Sequence, residues 1–354
     1  MTIKNKLFSI TAMAFAVQSS IAYADAEFER RVEERLAALE GKAPSQTSGW
    51  SDKVALSGLI EIEAAIGEEF DDQSYSSLTV ATVELGLAAQ ISKQVAAEIV
   101  LLYEEGDTPL DVDVATLRFD KLIGPVDLLI GKQYLPFGRF ETALVNDTLI
   151  LELAETNKTA ALFGIEQDAL NLGVFLFDGD VDRAEHVENW GLTFTFAQDN
   201  FSVGADYISS LAESDALSEE LGEFYVDDDG AFTLSGKIDL DEVTILGEYL
   251  TALDDIEYQD GLAIAKAEPS AIQVEVDIAA QINDKAWSFG FAVQQTDDAA
   301  GWLPEQRLSL GGSTEIYDGV GLGLEFWHDV DYDTNDGGTG EKANNVVLQL
   351  AAEF

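Results

Sequence analysis

The chain has 354 residues, with 67 acids against 19 bases, 47% hydrophobic content and no cysteine. A formal charge of −48 excludes a phosphate-backbone partner, so no nucleic acid is expected. Without cysteine, disulfides and thiolate metal sites are excluded, and with His186 and His328 as the only histidines a His-rich metal centre is excluded as well.

Lys4 and Lys6 precede an apolar stretch from Leu7 to Val17, and Ala22-Tyr23-Ala24 carries small residues around a cleavage position after Ala24. Residues 1–24 therefore read as a secretory signal, too short in its apolar core for the ~20 residues of a spanning helix. Residues 25–41 predict a short periplasmic helix. Phe28, Val32, Leu36 and Leu39 share one face, and Gly41 and Pro44 stop it. Such a helix makes either a short coiled coil or a loosely packed amphipathic segment. Residues 42–53 are a polar linker.

From Val54 the apolar period changes from 3.6 to 2 and stays there. Ile60, Ile62, Ala64 and Ile66 alternate with Glu61, Glu63 and Ala65; Ile272, Val274, Val276 and Ile278 alternate with Gln273, Glu275 and Asp277. Sixteen such segments open near Val54, Leu78, Gln94, Val112, Val126, Thr159, Ala169, Asn189, Phe201, Ala231, Glu242, Ala271, Ala286, Glu305, Gly319 and Asn344. An apolar face opposite a small and acidic face suits a sheet with lipid outside and water inside. Every second connection is short, as at Gln167-Asp168 and Asn283-Asp284, and the others are mostly long and acidic. That alternation gathers the short turns on one side. The expected fold is all-β: a sixteen-stranded antiparallel transmembrane barrel over residues 54–354, in a bacterial outer membrane. Tyr75, Tyr103, Trp190, Tyr207, Trp287 and Trp327 are expected in interface girdles. The final stripe Val346, Leu348, Leu350, Ala352 and Phe354 resembles the terminal strand that the barrel-assembly machinery recognises. Outer-membrane lipid, including lipopolysaccharide, and a homotrimer of this chain are the other expected partners.

Sixteen strands leave an aqueous lumen, so a channel for small solutes is the expected activity. Glu61, Glu63, Glu98, Glu275 and Glu325 fall on the polar face and are candidate pore-lining groups; acidic walls favour cations. Arg118, Lys132 and Arg139 are candidate basic pore-lining groups, with salt bridges to lumen acids as the competing reading. Lys132 shares parity with Leu128 and Ile130, which leaves its side open. The third long connection carries Leu-Ile-Leu-Glu-Leu-Ala (149–154) and is expected to fold into the lumen. Asp329, Asp331 and Asp333 have calcium-like spacing without the glycine of a calcium-loop turn, so no metal site is assigned and these three remain a candidate. No cofactor is expected. No nucleophile–base set is present, so a barrel enzyme is the weaker alternative.

Gly131-Lys-Gln-Tyr-Leu-Pro-Phe-Gly138 resembles the Gly-x-x-x-x-Pro-Phe-Gly stretch of phosphate-selective and related specific porins. The signal, Glu/Arg-rich helix, linker, the strand opening at Leu56–Ala64 and the terminal Phe together resemble siderophore porins of the LbtU family. That resemblance implies a barrel without an N-terminal plug, and uptake of a ferric siderophore. A general cation-preferring diffusion porin is the alternative.

Overall fold

The computed structural model describes residues 53–71, 73–181, 187–227, 230–260 and 263–354. The expected signal, the periplasmic helix and the linker up to residue 52 lie outside the described residues, as does His186.

The alternating segments form a closed antiparallel barrel of sixteen strands. In chain order these are β1 (Val54–Glu68), β2 (Ser74–Ser92), β3 (Val95–Tyr103), β4 (Asp111–Ile123), β5 (Val126–Tyr134), β6 (Asn157–Gln167), β7 (Leu170–Phe177), β8 (Asn189–Gln198) and β9 (Phe201–Ile208). They continue with β11 (Ala231–Leu240), β12 (Val243–Ala252), β15 (Ser270–Ile282), β16 (Lys285–Asp297), β17 (Gln306–Tyr317), β18 (Val320–Val330) and β19 (Lys342–Glu353). Three short strands, β10 (Tyr225–Asp227), β13 (Ile256–Asp260) and β14 (Ala263–Ala267), make a separate sheet in the loops. Each barrel strand starts within two residues of its expected position except β2. There Ser74–Ser77 pair with Ala65–Glu68, and these polar residues carry no apolar alternation to announce them. Short turns use residues that tolerate positive φ. Asn283 and Asp284 sit at 52° and 62°, which fits a two-residue hairpin turn and the strands' twist.

The outward face is apolar along every barrel strand. Ile60, Ile62, Ile99, Leu117, Leu192, Val274, Phe291, Leu324 and Leu350 are all exposed there. A band of that extent fits hydrocarbon rather than water. Two expected girdle aromatics do not belong to it. Trp327 and Tyr75 point inward: Trp327 packs on Val145 and Val347, and the Tyr75 hydroxyl donates to Asn345 Oδ1 at 3.0 Å. The reason is parity, since Phe326 is outward and its neighbour must face in. Trp190 and Tyr207 do pair on the exterior, with ring centroids 5.0 Å apart and planes tilted by 46°.

β1 closes on β19 in the register Leu59↔Glu353 to Gly67↔Asn345, which leaves no open edge. Gly58 and Phe354 extend the seam through two backbone hydrogen bonds of 2.9 and 3.0 Å. The Phe354 ring covers Gly58, where an added Cβ would lie 2.3 Å from a ring carbon. Gly58→Val should therefore expel the ring and cost ~1–3 kcal/mol by overpacking. Refolded yield, read as the fast-migrating species on unheated gels, is expected to drop. Gly236→Ala, where an added Cβ meets only the Ser202 carbonyl at 3.9 Å, is expected to leave the yield unchanged.

Candidate functional site

The third loop, residues 135–156, enters the lumen at a corner that the Gly131–Gly138 stretch makes. At Gly131, φ is 139° and a Cβ would lie 2.0 Å from the Ala115 carbonyl, so only glycine fits. Gly138 at φ 92° turns the chain again, and Phe137 between them is buried. The stretch therefore has a structural task here: it directs the loop inward.

An irregular loop carries backbone N–H groups with no ladder partner, and each needs an acceptor. The wall supplies carboxylates, strand after strand. Glu248 on β12 accepts from the Arg139 and Phe140 amides at 2.7 and 2.8 Å. Glu275 on β15 accepts from the Ala143 amide at 2.7 Å and the Thr142 hydroxyl at 2.8 Å. Glu325 on β18 accepts from the Val145 and Asn146 amides at 2.7 and 2.8 Å. Gln294 on β16 accepts from the Leu149 amide at 2.6 Å. Each acceptor thus satisfies loop N–H groups that no ladder would reach.

Shape reinforces the polar contacts. Leu144 sits over Gly290 and Gly311, and Val145 over Gly323, where an added Cβ would come within 2.8–2.9 Å of the loop side chains. Glycines on three adjacent strands thus form pits for the loop tip. Helix α1 (Leu149–Ala154) follows, capped by Thr148, whose hydroxyl accepts from the Leu151 amide at 3.0 Å. Arg307 on β17 ties α1 to the wall. Its guanidinium contacts Glu152 at 2.7 Å and Asp329 at 2.9 and 3.2 Å.

Above this strap lies a dry cap. Leu149, Ile150 and Leu153 of α1 pack with Leu211, Leu217 and Leu221 from the fifth loop. Inward residues at the strand tops complete it, among them Phe175, Phe177, Ile208 and Leu250. Helix α2 (Asp215–Leu221), capped by Ser214, clasps the third loop. The Asp215 amide donates to the Glu155 carbonyl at 2.8 Å, and the Asp215 carboxylate accepts from the Asn157 amide. Burial pushes the Asp215 carboxyl up to about 6, against the pull of that amide. Burial also raises Glu155, with the Asp215 charge adding to it. A carboxyl whose folded pKa is raised binds its proton more tightly folded than unfolded. Its stabilisation is complete below its ordinary pKa and is lost as pH climbs through about 6. The protection of amides in residues 211–221, taken relative to their intrinsic exchange rate at each pH, is therefore expected to be greater at pH 5 than at pH 7.5, and Asp215→Asn should flatten the difference.

The expected pore-lining residues separate into groups. Glu275 and Glu325 face the lumen but hold the loop. Glu61 and Glu63 face inward on β1, with Glu63 accepting from Gln349 Nε2 at 2.9 Å. Glu98 faces inward on β3, paired in register with Thr116. Arg118 lies inward beside Asp120 at 2.8 Å. Arg139 belongs to the loop and reaches Asp206 at 3.0 Å and Thr195 at 2.7 Å. Lys132 faces out. It shares the register of Ala115 and Thr159, and its ammonium donates to the Val112 carbonyl at 2.7 Å. Asp329, Asp331 and Asp333 do not converge on a metal position. Asp329 is held by Arg307, and Asp331 accepts from the Thr339 amide and hydroxyl at 2.7 and 2.6 Å. Among the described residues, no group of three or more His, Asp or Glu side chains could hold a metal ion.

No protein-family model matches the chain. It is 24% identical over 326 residues to a UPF0422 protein of Coxiella burnetii, covering 85% of this chain and 69% of that protein. A UPF0422 protein of Legionella pneumophila is 24% identical over 352 residues, covering 85% and 66%. The chain thus spans about two thirds of the length of these relatives. Among solved structures, the outer membrane channel DcaP of Acinetobacter baumannii superposes with a TM-score of 0.61 at 15% identity, over 85% of this chain and 97% of that one. An anion-selective porin from Comamonas acidovorans gives 0.60 at 11% identity, over 85% and 99%. The trimer form of OmpT from Vibrio cholerae gives 0.56 at 11% identity, over 86% and 100%. A closed sixteen-stranded antiparallel barrel that shares its fold with porin channels is the architecture of this chain.

Proposed function

We propose that this protein is an outer-membrane channel that passes small solutes and prefers cations. The closed barrel, its apolar exterior and the porin likeness support the channel. One observation carries the preference. Glu61, Glu63, Glu84 and Glu98 on β1–β3 form no ion pair with a base among the described residues, whereas the inward bases Arg118, Arg139, Lys158, Lys237 and Arg307 are each paired with an acid. Carboxyl groups with no basic partner on the inward wall favour a cation over an anion in the lumen. Liposome swelling tests this. Vesicles holding the protein should swell faster in an isotonic organic ammonium salt than in a carboxylate salt of matched ion size. Equal rates, or the reverse order, would argue against the preference. A homotrimer is part of the proposal, supported by the trimer form of OmpT.

Ferric-siderophore uptake is the second reading, carried by the resemblance of the overall plan to siderophore porins. An anionic ligand needs unpaired bases along its path, and the pairing just described works against it. Block of the ionic current by a ferric hydroxycarboxylate would favour this reading over the first.

A further inference from the structure

We propose that the short-turn rim of β1–β5 is a docking surface for an anionic phospholipid of the inner leaflet, held by Lys53, Lys93 and Lys121. Bases are rare in this chain, 19 against 67 acids. These three are exposed and lie at the same end of neighbouring strands. Lys53 precedes β1, Lys93 sits in the β2–β3 turn and Lys121 lies near the end of β4. Strand pairing brings them to one edge. Val54 is opposite Ala89, just before the turn that holds Lys93, and the Asp120 amide donates to the Gln94 carbonyl at 2.9 Å. The other short turns between barrel strands each carry an aspartate instead: Asp168, Asp199, Asp241, Asp284 and Asp318. The rim is therefore basic along one arc and acidic along the rest.

Position and charge decide the class of ligand. Short turns mark the periplasmic side of an outer-membrane barrel. Exposed aliphatic side chains continue down to these turns, among them Leu56, Ile91 and Ile123. The lysines thus stand where hydrocarbon ends and headgroups begin, where a long basic side chain extends its charge to a phosphate. The three ammonium groups have no acid partner among the described residues. Two acids beside Lys121 are already engaged: Asp120 pairs with Arg118 at 2.8 Å, and Asp127 accepts from the Lys121 amide. The Asp168 turn is two strand spacings beyond the Lys121 turn, ~10 Å, where salt screens it. At Lys121 the backbone sits at φ 51°, a conformation that glycine or asparagine holds at less cost, so the turn itself does not call for a lysine. A glycerol headgroup brings a net negative charge to this arc, whereas the ammonium of an ethanolamine headgroup is repelled by it. The inference needs the barrel to lie in a membrane and does not need it to conduct.

The test is native mass spectrometry of the full protein released from micelles that hold equal amounts of dioleoyl phosphatidylglycerol and dioleoyl phosphatidylethanolamine. Phosphatidylglycerol adducts are expected to dominate. Each lysine replaced by glutamine should weaken their retention about fivefold, the effect of one base near an anionic headgroup. The triple variant Lys53→Gln, Lys93→Gln and Lys121→Gln alters only exposed side chains, and heat-modifiable migration checks that it folds. It should retain the two lipids equally. Lys285→Gln, beside Asp284 on the acidic part of the rim, should change nothing. Added inorganic phosphate should not displace the lipid, because it brings no acyl chain to the aliphatic wall. The proposal is overturned if wild type retains both lipids equally, if the triple variant keeps the preference, or if Lys285→Gln abolishes it. Displacement by inorganic phosphate would overturn it too. So would a triple variant that changes the mass of the oligomer in place of lipid retention, which would assign the lysines to a contact between copies. A protein that fails to conduct leaves this measurement readable, and absent lipid preference leaves ion selectivity untouched, so the two proposals fail separately.

Discussion

Replacing Glu275 and Glu325 together by alanine is expected to free the tip of the third loop and raise single-channel conductance. Four donors lose their acceptor: the Ala143, Val145 and Asn146 amides and the Thr142 hydroxyl. Each such hydrogen bond contributes ~0.5–1.5 kcal/mol net, and a donor left without an acceptor costs ~1–3 kcal/mol where lumen water does not reach it. What then holds the tip is Leu144 and Val145 on their glycine pits, a contact that opens and closes without the carboxylates. The current should become both larger and noisier. Glu98→Ala makes the control, because Glu98 touches no part of the loop. It should leave the conductance level alone and reduce cation preference. Unchanged conductance in the double variant would mean that the carboxylates do not hold the constriction.

Arg307→Ala is expected to give the largest loss of stability. The guanidinium is buried, and it alone joins Glu152 of α1 to Asp329 of β18. Removing it leaves two carboxylates facing each other in a poorly hydrated space, a loss of ~3–5 kcal/mol for a broken buried pair. Urea unfolding in micelles, followed by tryptophan fluorescence, should show the shift. The sign of a second variant separates charge from packing. Arg307→Met with Glu152→Gln and Asp329→Asn keeps volume and removes every charge, and it should recover most of the loss. If the triple variant is as unstable as Arg307→Ala, neither lost volume nor stranded charge explains the cost, and the bonds of Arg307 to Glu152 and Asp329 themselves stabilise the fold.

The barrel was legible because a period of 2 is a property of neighbouring residues. Alternation from Val54 onward located the barrel strands, and their start positions held except where Ser74–Ser77 carry no apolar signal. The inward loop was legible too, since Leu149–Ala154 is too apolar for a solvated external connection. Partners were another matter. Parity places Glu275 and Glu325 inside, but it is silent on loop amides more than a hundred residues away that claim them. The same gap hid Arg307, whose partners lie on α1 and β18. The cap had a readable sign that alternation conceals. Gly173 to Phe177 is apolar on both faces, and a strand apolar on both faces has a dry interior side. Trp327 and Lys132 show that parity outranks residue type. The tryptophan suits an interface girdle and the lysine suits a pore, yet register turns the first inward and the second outward.

The proposed pore is water-filled and prefers cations. The most direct test is the zero-current potential of the wild-type protein in a planar bilayer under a potassium chloride gradient. The proposed pore should give measurable conductance with a potential of the sign set by potassium passing more readily than chloride. That potential should shrink toward zero when Glu61, Glu63, Glu84 and Glu98 are replaced by glutamine. A potential of the opposite sign, or a membrane that stays silent, would contradict it.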